Sequence, residues 1–403
     1  MERPPHTRDR TPAGGRIEGL DIARGVAILG TLGTNIWIFA DPQGAFGWLA
    51  ASTRSPDSAG DVVEAALLFL TNGKFLALLS IMFGVGLELQ YQSARRRRQR
   101  WPGRYLWRSA LLLVEGTLHY LLIFEFDVLM GYALVSVHVA FLVTRSQRVR
   151  RWWMIGAGAL HVGVIGLGTL AMHTGNMRLS TPGAAATTLY TEGSWAEQVL
   201  ARLTAFGAFR TEVLILIPLG TVLFLAGVAL TRAGAFADSE RGATLRSRMI
   251  GYGLGIGLPL NLLTSVSGPE WFLVDRYVLP PVVAFGLLGA VVTLTYRWCG
   301  PEPGALRRGL TATGRAAMSC YVFQNLVCGA LCYGWGLGLA ASLSDARPWW
   351  VIVAWAAIVA LFMTLSVWWL RRFSRGPLEL VLHWAYLAPR RSADRRGAGS
   401  GER

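Results

Sequence analysis

The chain has 403 residues, 53% of them hydrophobic and only 16% charged, with 16 Trp, too little polar surface to cover an ordinary soluble globule. A net charge of +15 would suit nucleic acid, but the arginines sit in short clusters between apolar runs, "SARRRRQRWPGR", "TRSQRVRRWW", "EPGALRRG" and the tail "RRSADRRGAGSGER". Such clusters are read as facing anionic lipid on one side of a membrane, and nucleic acid is excluded as a partner.

The first 17 residues are polar and Pro-rich, with no A-x-A site before the first apolar run, so a disordered cytoplasmic tail and no cleaved signal peptide are expected. Apolar segments then recur at 18–40, 62–91, 105–124, 126–144, 152–172, 211–231, 248–267, 277–297, 313–340 and 349–370, about ten spans of membrane-crossing length. The fold class is therefore all-α: a polytopic integral membrane protein with one helical domain over 18–390 and a disordered basic tail at 391–403. Threading the spans from an inside N-terminus collects the arginine-rich loops near 95–104, 145–151, 232–248 and 298–312 and the C-terminal tail on one side. The other side receives 41–61, a tight turn at Glu125–Phe126, the long loop 173–210 and two short loops, with few arginines such as Arg54, Arg178 and Arg347. Both termini are thus placed in the cytoplasm.

Segment 62–91 is too long for one untilted span and is either one tilted helix or a helix broken where Asn72–Gly73 interrupts it, just before Lys74, the one lysine among 39 basic residues. A compact buried ammonium there reads as a functional charge. In loop 173–210, "YTEGSWAEQVLARLTAF" has helical spacing, with Trp195, Val199, Leu203 and Phe206 on one side, and reads as an interfacial helix. Cys299, Cys320, Cys328 and Cys332 have no metal-ligand spacing, and a disulfide framework is not expected.

Polar groups at membrane depth carry the functional signal, because each is costly unless paired or used. In the first span Arg24 and Asn35 are eleven residues apart and project from nearly one face, with Thr31 between them and Asp21 placed to pair with Arg24. Snorkelling and interhelical bonding explain them equally well. In the third span Glu115 and His119 lie at i and i+4, where a carboxylate can fix an imidazole tautomer for general-base work, and Asp127 follows past the turn. His138, His161 and His173 lack acidic neighbours and read as packed histidines. The ninth span stacks Tyr321, Gln324, Asn325 and Cys328; Gln324 and Tyr321 share a face, and Gly334, Gly336 and Gly338 permit a bend near its end.

"RIEGLDIARGVAILGTLGTNIWIF", "GKFLALLSIMFGVGLELQ", "GTLHYLLIFEFDVLMGYAL", "GRAAMSCYVFQNLVCGALCYGWGLGL" and "GPLELVLHWAYL", in this order and spacing, resemble the YeiB-like (DUF418) bacterial membrane proteins, whose C-terminal motif region maps to about 230–390. That family is distantly similar to membrane acyltransferases of the acyltransferase-3 and heparan-glucosaminide N-acetyltransferase type, through the pattern here carried by Leu20, Asp21, Arg24 and Gly25. Many of those enzymes have a histidine where this chain has Asn35, so the resemblance leaves the base to be supplied by His119. What it implies is a bacterial cytoplasmic-membrane enzyme with no bound cofactor. Acyl-CoA is its co-substrate, and a hydroxyl or amine of an envelope glycan, a lipid or a secreted metabolite is the acceptor. His119, supported by Glu115 or Asp127, is the implied base, and Arg24, Asn35, Lys74, Gln324 and Tyr321 are the implied substrate-binding set. A small-molecule transporter and a non-catalytic scaffold remain as alternatives.

Overall fold

The computed structural model describes residues 17–52, 56–177, 183–297 and 303–387. The expected tails at 1–17, apart from Ile17, and at 391–403, together with Arg54, Arg178 and Cys299, fall outside the described residues. Among the described residues every regular element is helical. In chain order they are α1 (Glu18–Phe39), α2 (Gly44–Ala51), α3 (Ala59–Thr71), α4 (Lys74–Arg96), α5 (Arg104–Leu122), α6 (Leu129–Leu142), α7 (Gln147–His173), α8 (Ala184–Thr191), α9 (Trp195–Thr204) and α10 (Phe206–Ala233). There follow α11 (Glu240–Ile250), continued through a π-helical turn into α12 (Leu258–Val266), then α13 (Phe272–Tyr277), α14 (Leu279–Arg297), α15 (Ala305–Arg315), α16 (Ala317–Cys332), α17 (Leu339–Ser342) and α18 (Trp349–Leu370). A last helix, α19, covers 377–387.

Seven helical stretches among the described residues are long and apolar enough to cross a membrane: α1, α3 with α4, α7, α10, α11 to α12, α14 and α18. The three other expected spans correspond to helices that are shorter or more polar. α6 and α16 are short apolar helices, and α5 carries Arg104, Arg108 and Glu115. The expected span 313–340 is redrawn: α15 begins at Ala305, Ala316 interrupts the helix with φ −110° and ψ 32°, and α16 ends at Cys332. Gly334, Gly336 and Gly338 form the turn after it, and Gly334 N–H donates to Tyr190 O at 2.9 Å.

α1 is the hub. It is buried along nearly its whole length, as a helix enclosed by other helices is, with most of its few polar groups turned into the bundle. It packs against α4, α14, α15, α16 and α18, whereas α7, α12 and α18 turn most of their apolar side chains outward. Its tightest neighbour is α15. A Cβ added to Gly25 would stand 2.1 Å from Leu310 O, and one added to Gly314 would stand 1.8 Å from Asp21 O. Small residues let helix backbones approach this closely where no hydrophobic effect drives helices together. The Arg-Gly of the first-span motif thus has a packing reason for its glycine. Gly25→Val is expected to part α1 from α15 and abolish recovery of folded protein from membranes, read by size-exclusion chromatography in detergent.

The break before Lys74 is present. α3 ends at Thr71, and Gly73, with φ +72°, turns the chain into α4. A side chain there would be strained by the backbone angle and would meet Arg276 O at 2.4 Å.

Candidate functional site

The polar groups singled out in α1, α5 and α16 meet in one buried line near the arginine-poor ends of those helices. Asn35 Nδ2 donates to Asn325 Oδ1 at 3.0 Å, and Asn325 Nδ2 donates to His119 Nε2 at 3.2 Å. His119 Nδ1 donates to Asp127 Oδ1 at 2.9 Å. Asp127 Oδ2 in turn accepts the backbone N–H of Met130, at 3.1 Å, in the first turn of α6. His119 and Asp127 are each 2% exposed and Asn325 is fully buried. With the Asn325 NH2 toward the ring, the imidazole holds its proton on Nδ1, toward Asp127, and presents the Nε2 lone pair to the Asn325 amide.

Asp127 is positioned from three directions. Its side chain caps α6, and its backbone oxygen accepts from Arg210 Nη1 at 3.0 Å. Arg210 also donates to Glu125 O and lies over the Tyr120 ring, 4.0 Å from the centroid. The His119 ring packs against Tyr321, centroids 5.0 Å apart, and against the edge of Phe124.

Glu115 does not support His119 through a hydrogen bond, contrary to expectation. Both its carboxyl oxygens are buried without a hydrogen-bond partner. The physical reason is local: helix side chains lean toward their own N-terminus, so Glu115 projects down the helix, while the imidazole is held by the turn that follows α5. Gln324 is fully buried, donates from Nε2 to Ile28 O at 3.3 Å, and leaves Oε1 without a partner.

Arg24 sits toward the other end of α1, in an ion pair with Asp21 at 2.9 Å and donating to Gly314 O at 3.4 Å. Eleven residues of helix separate it from Asn35, about 16 Å along the axis. Lys74 lies in a different network. Its ammonium donates to Phe69 O in the last turn of α3 and stands over the Phe69 ring at 4.4 Å. Asp275 is the carboxylate whose charge acts on it. Asp275 accepts from Asn261 Nδ2 at 2.5 Å and from Thr264 Oγ1 at 3.2 Å. Beside them Arg276 holds Asn72 and Glu212, and Tyr277 donates to Glu212 at 2.6 Å. None of these hydrogen bonds is shared with His119, so Lys74 is separate from the base. At 3% exposure it is expected to stay unlabelled by a membrane-impermeant amine reagent applied to both faces of opened vesicles. After denaturation, peptide mapping should find it labelled.

Of the other histidines, His161 is buried, with Nε2 2.9 Å from Tyr277 O, and His138 is half-buried, with Nε2 2.8 Å from Thr221 Oγ1, both packed as expected; His173 is instead exposed at the end of α7, with Nδ1 3.0 Å from Thr169 O. Cys320, Cys328 and Cys332 are free and buried. Among the described residues no group of three or more His, Cys, Asp or Glu is placed to hold a metal ion.

Sequence reading missed how the site is closed. The turn after α5 was expected at the membrane surface, yet Glu125 is 1% exposed. Its Oε1 accepts from Arg202 Nε of α9 at 2.8 Å and from the Tyr190 hydroxyl at 3.0 Å. Arg202 Nη1 also donates to Leu121 O at 3.0 Å, Trp195 Nε1 donates to Leu122 O at 2.7 Å, and Gln198 Oε1 accepts from Trp335 Nε1 at 3.2 Å. α9 does turn Trp195, Leu203 and its neighbour Phe206 outward, as an interfacial helix should. The flank of that stripe, however, carries Gln198 and Arg202 into the protein, Arg202 onto the end of α5 and the turn that follows it and Gln198 onto Trp335. The signal was partial: Gln198 and Arg202 are an i, i+4 polar pair, but Arg202 stands seven residues from Trp195 and so beside the apolar stripe rather than away from it.

Comparison with known proteins agrees with the motifs. Residues 230–388 match the family described as "Protein of unknown function (DUF418)". The chain is 26% identical to the "Uncharacterized protein YxaH" of Bacillus subtilis (strain 168), over 90% of this chain and 92% of that protein. It is 30% identical to the "Uncharacterized protein YeiB" of Escherichia coli (strain K12), over 92% of this chain and 96% of that protein. No solved structure matches it. Similarity along almost the full length of YeiB, with the DUF418 match at the C-terminal half, makes this chain a member of the YeiB-like DUF418 family.

Proposed function

We propose that the protein is a multi-pass enzyme of the bacterial cytoplasmic membrane, with ten spans and both termini inside, that moves an acyl group from acyl-CoA to a hydroxyl or amine of a cell-envelope or secreted acceptor. The observation that carries this reading is the Asp127–His119–Asn325 line: a carboxylate-oriented imidazole, walled off from water, whose free nitrogen faces an amide donor. The acceptor O–H or N–H gives its proton to His119 Nε2 as its heteroatom attacks the thioester carbonyl. When that proton acceptor is engaged, the Asn325 amide is released from Nε2 and, with Asn35 behind it, donates to the oxyanion. Collapse expels the thiolate of CoA, which takes the proton back from Nε2. The products are the ester or amide and free CoA, and the imidazole returns to its starting state.

The placement of the site supports a two-sided reaction. Arg24 and the exposed arginines of the Arg-rich loops suit the anionic nucleotide of the donor, and the roughly 16 Å from Arg24 to Asn35 is a span for its flexible arm. The acceptor enters from the end that α9 covers. Proteoliposomes supplied with acetyl-CoA and cell-envelope extract should release free CoA and yield an acceptor heavier by one acetyl group. Envelope from a deletion strain should lack that increment. Absence of both refutes the reading.

A second reading draws on the network at the helix break. Lys74, Asp275, Arg276 and Glu212 gathered beside an interrupted helix are what an anion carrier would use. Substrate counterflow without any CoA would favour it over acyl transfer.

A further inference from the structure

α5 and α16 are tied at two levels. Near one end the tie is His119 with Asn325 and Tyr321. At the Arg-rich end it is α19. Glu379 accepts the Met318 N–H at 2.8 Å and caps α16, while Arg104 and Trp107 of α5 donate to Tyr386 O at 2.7 Å and Ala385 O at 3.2 Å. Between these ties α5 packs along α6 rather than α16. The interval from Trp107 to His119 is about 18 Å of helix. Glu115 lies inside it, one turn, or roughly 6 Å, on the Arg-rich side of His119.

On α5 the orphaned buried side-chain atoms are the two Glu115 oxygens, and on α16 the one such atom is Gln324 Oε1. Each of the two side chains offers an acceptor oxygen, Glu115 through the carbonyl of its carboxyl, and an unpaired acceptor at membrane depth is costly. A ligand that completes this interval must bring N–H or O–H donors and be slender enough to run between two helices. A hydrocarbon tail brings none.

We infer that Glu115 is a binding residue for the amide-bearing arm of the acyl donor, its carboxyl accepting the N–H of the amide two methylenes from the thioester sulfur. This rests on the acyl-transfer reading above. With the thioester at His119 Nε2, that amide falls within one helical turn on the Arg-rich side, where Glu115 stands. Gln324 Oε1 is a further acceptor for the same arm. Glu115 thereby changes role: it does not orient the base but holds the donor that the base serves.

The test compares the full-length protein in nanodiscs with its Glu115→Leu and Glu115→Gln variants. Acetyl-CoA and adenosine bisphosphate, the donor without its arm, are the two ligands. Glu115→Leu should weaken acetyl-CoA binding about tenfold or more, equivalent to about 1.4 kcal/mol. Glu115→Gln, which keeps a carbonyl acceptor, should bind within roughly threefold of wild type, and adenosine bisphosphate should bind all three alike. Thermal stability of the ligand-free Leu variant should rise, because an orphaned acid has been removed; a purely structural glutamate would give a fall. If Glu115→Leu fails to fold, Glu115→Met, close in length, takes its place. Unchanged acetyl-CoA affinity in the Leu or Met variant overturns the inference while leaving acyl transfer standing, as does a rise in acceptor KM with donor KM unchanged. A wild-type protein that binds no acetyl-CoA overturns both.

Discussion

His119→Ala is expected to lower kcat for acyl transfer by about two to four orders of magnitude, the range for loss of a general base, with donor KM nearly unchanged. Asp127→Asn should be almost as severe, for a reason visible in the hydrogen bonds. Asp127 serves two donors, His119 Nδ1–H through one oxygen and the Met130 backbone N–H through the other. Asparagine has one acceptor oxygen. The backbone N–H cannot reverse its polarity, so the amide oxygen goes to Met130 and the NH2 faces His119 Nδ1. That moves the imidazole proton to Nε2 and removes the lone pair the reaction needs. The folded protein should survive, since the α6 cap is kept. Initial rates in proteoliposomes, with unfolding temperatures alongside, check both. Full activity in either variant would exclude His119 as the base.

The same residues show how far the sequence can be read. Periodicity and length located the long apolar helices, though α2 fell in an expected loop, and Asn72–Gly73 marked the break, because glycine and hydrocarbon length are local signals. That α5, α16 and α1 converge is not local. The eleven-residue spacing put Arg24 and Asn35 on one face, but only packing shows that this face meets α15 and α16. Choosing Asp127 over Glu115 as the partner of His119 needed the course of the turn at 123–128, where spacing rules for helices no longer apply.

The arginines carry a further lesson. Those of the Arg-rich end are largely exposed, Arg95 to Arg98 among them. Among the described residues, three at the other end are drawn inward: Arg202 pairs with Glu125, Arg276 with Glu212 and Arg347 with Glu64. Exceptions to the charge bias therefore mark internal ion pairs here, each joining a loop or short helix to the bundle. Read this way, Arg202 could have been singled out from the sequence alone.

Arg202→Met should be the most destabilising of the single changes at this end. It removes the cation from a pair whose side chains are each 1% exposed and leaves the Glu125 carboxyl with only the Tyr190 hydroxyl on the oxygen they shared. Its other oxygen already has no partner. Stranding one member of a buried pair costs about 3–5 kcal/mol, whereas replacing both members with apolar groups of similar volume is often close to neutral. Glu125→Leu combined with Arg202→Met should therefore recover most of the unfolding temperature lost in the single variant. If the pair serves only to hold α9, the double variant should also recover acyl transfer, because α9 would again cover His119. If opening of α9 admits the acceptor, the apolar double variant should be stable yet slow, since contacts that exchange readily for water have been replaced by contacts that do not. Unfolding temperature and initial rate on the same three proteins separate these outcomes, and equal, additive losses from the two substitutions would show that the pair is not coupled.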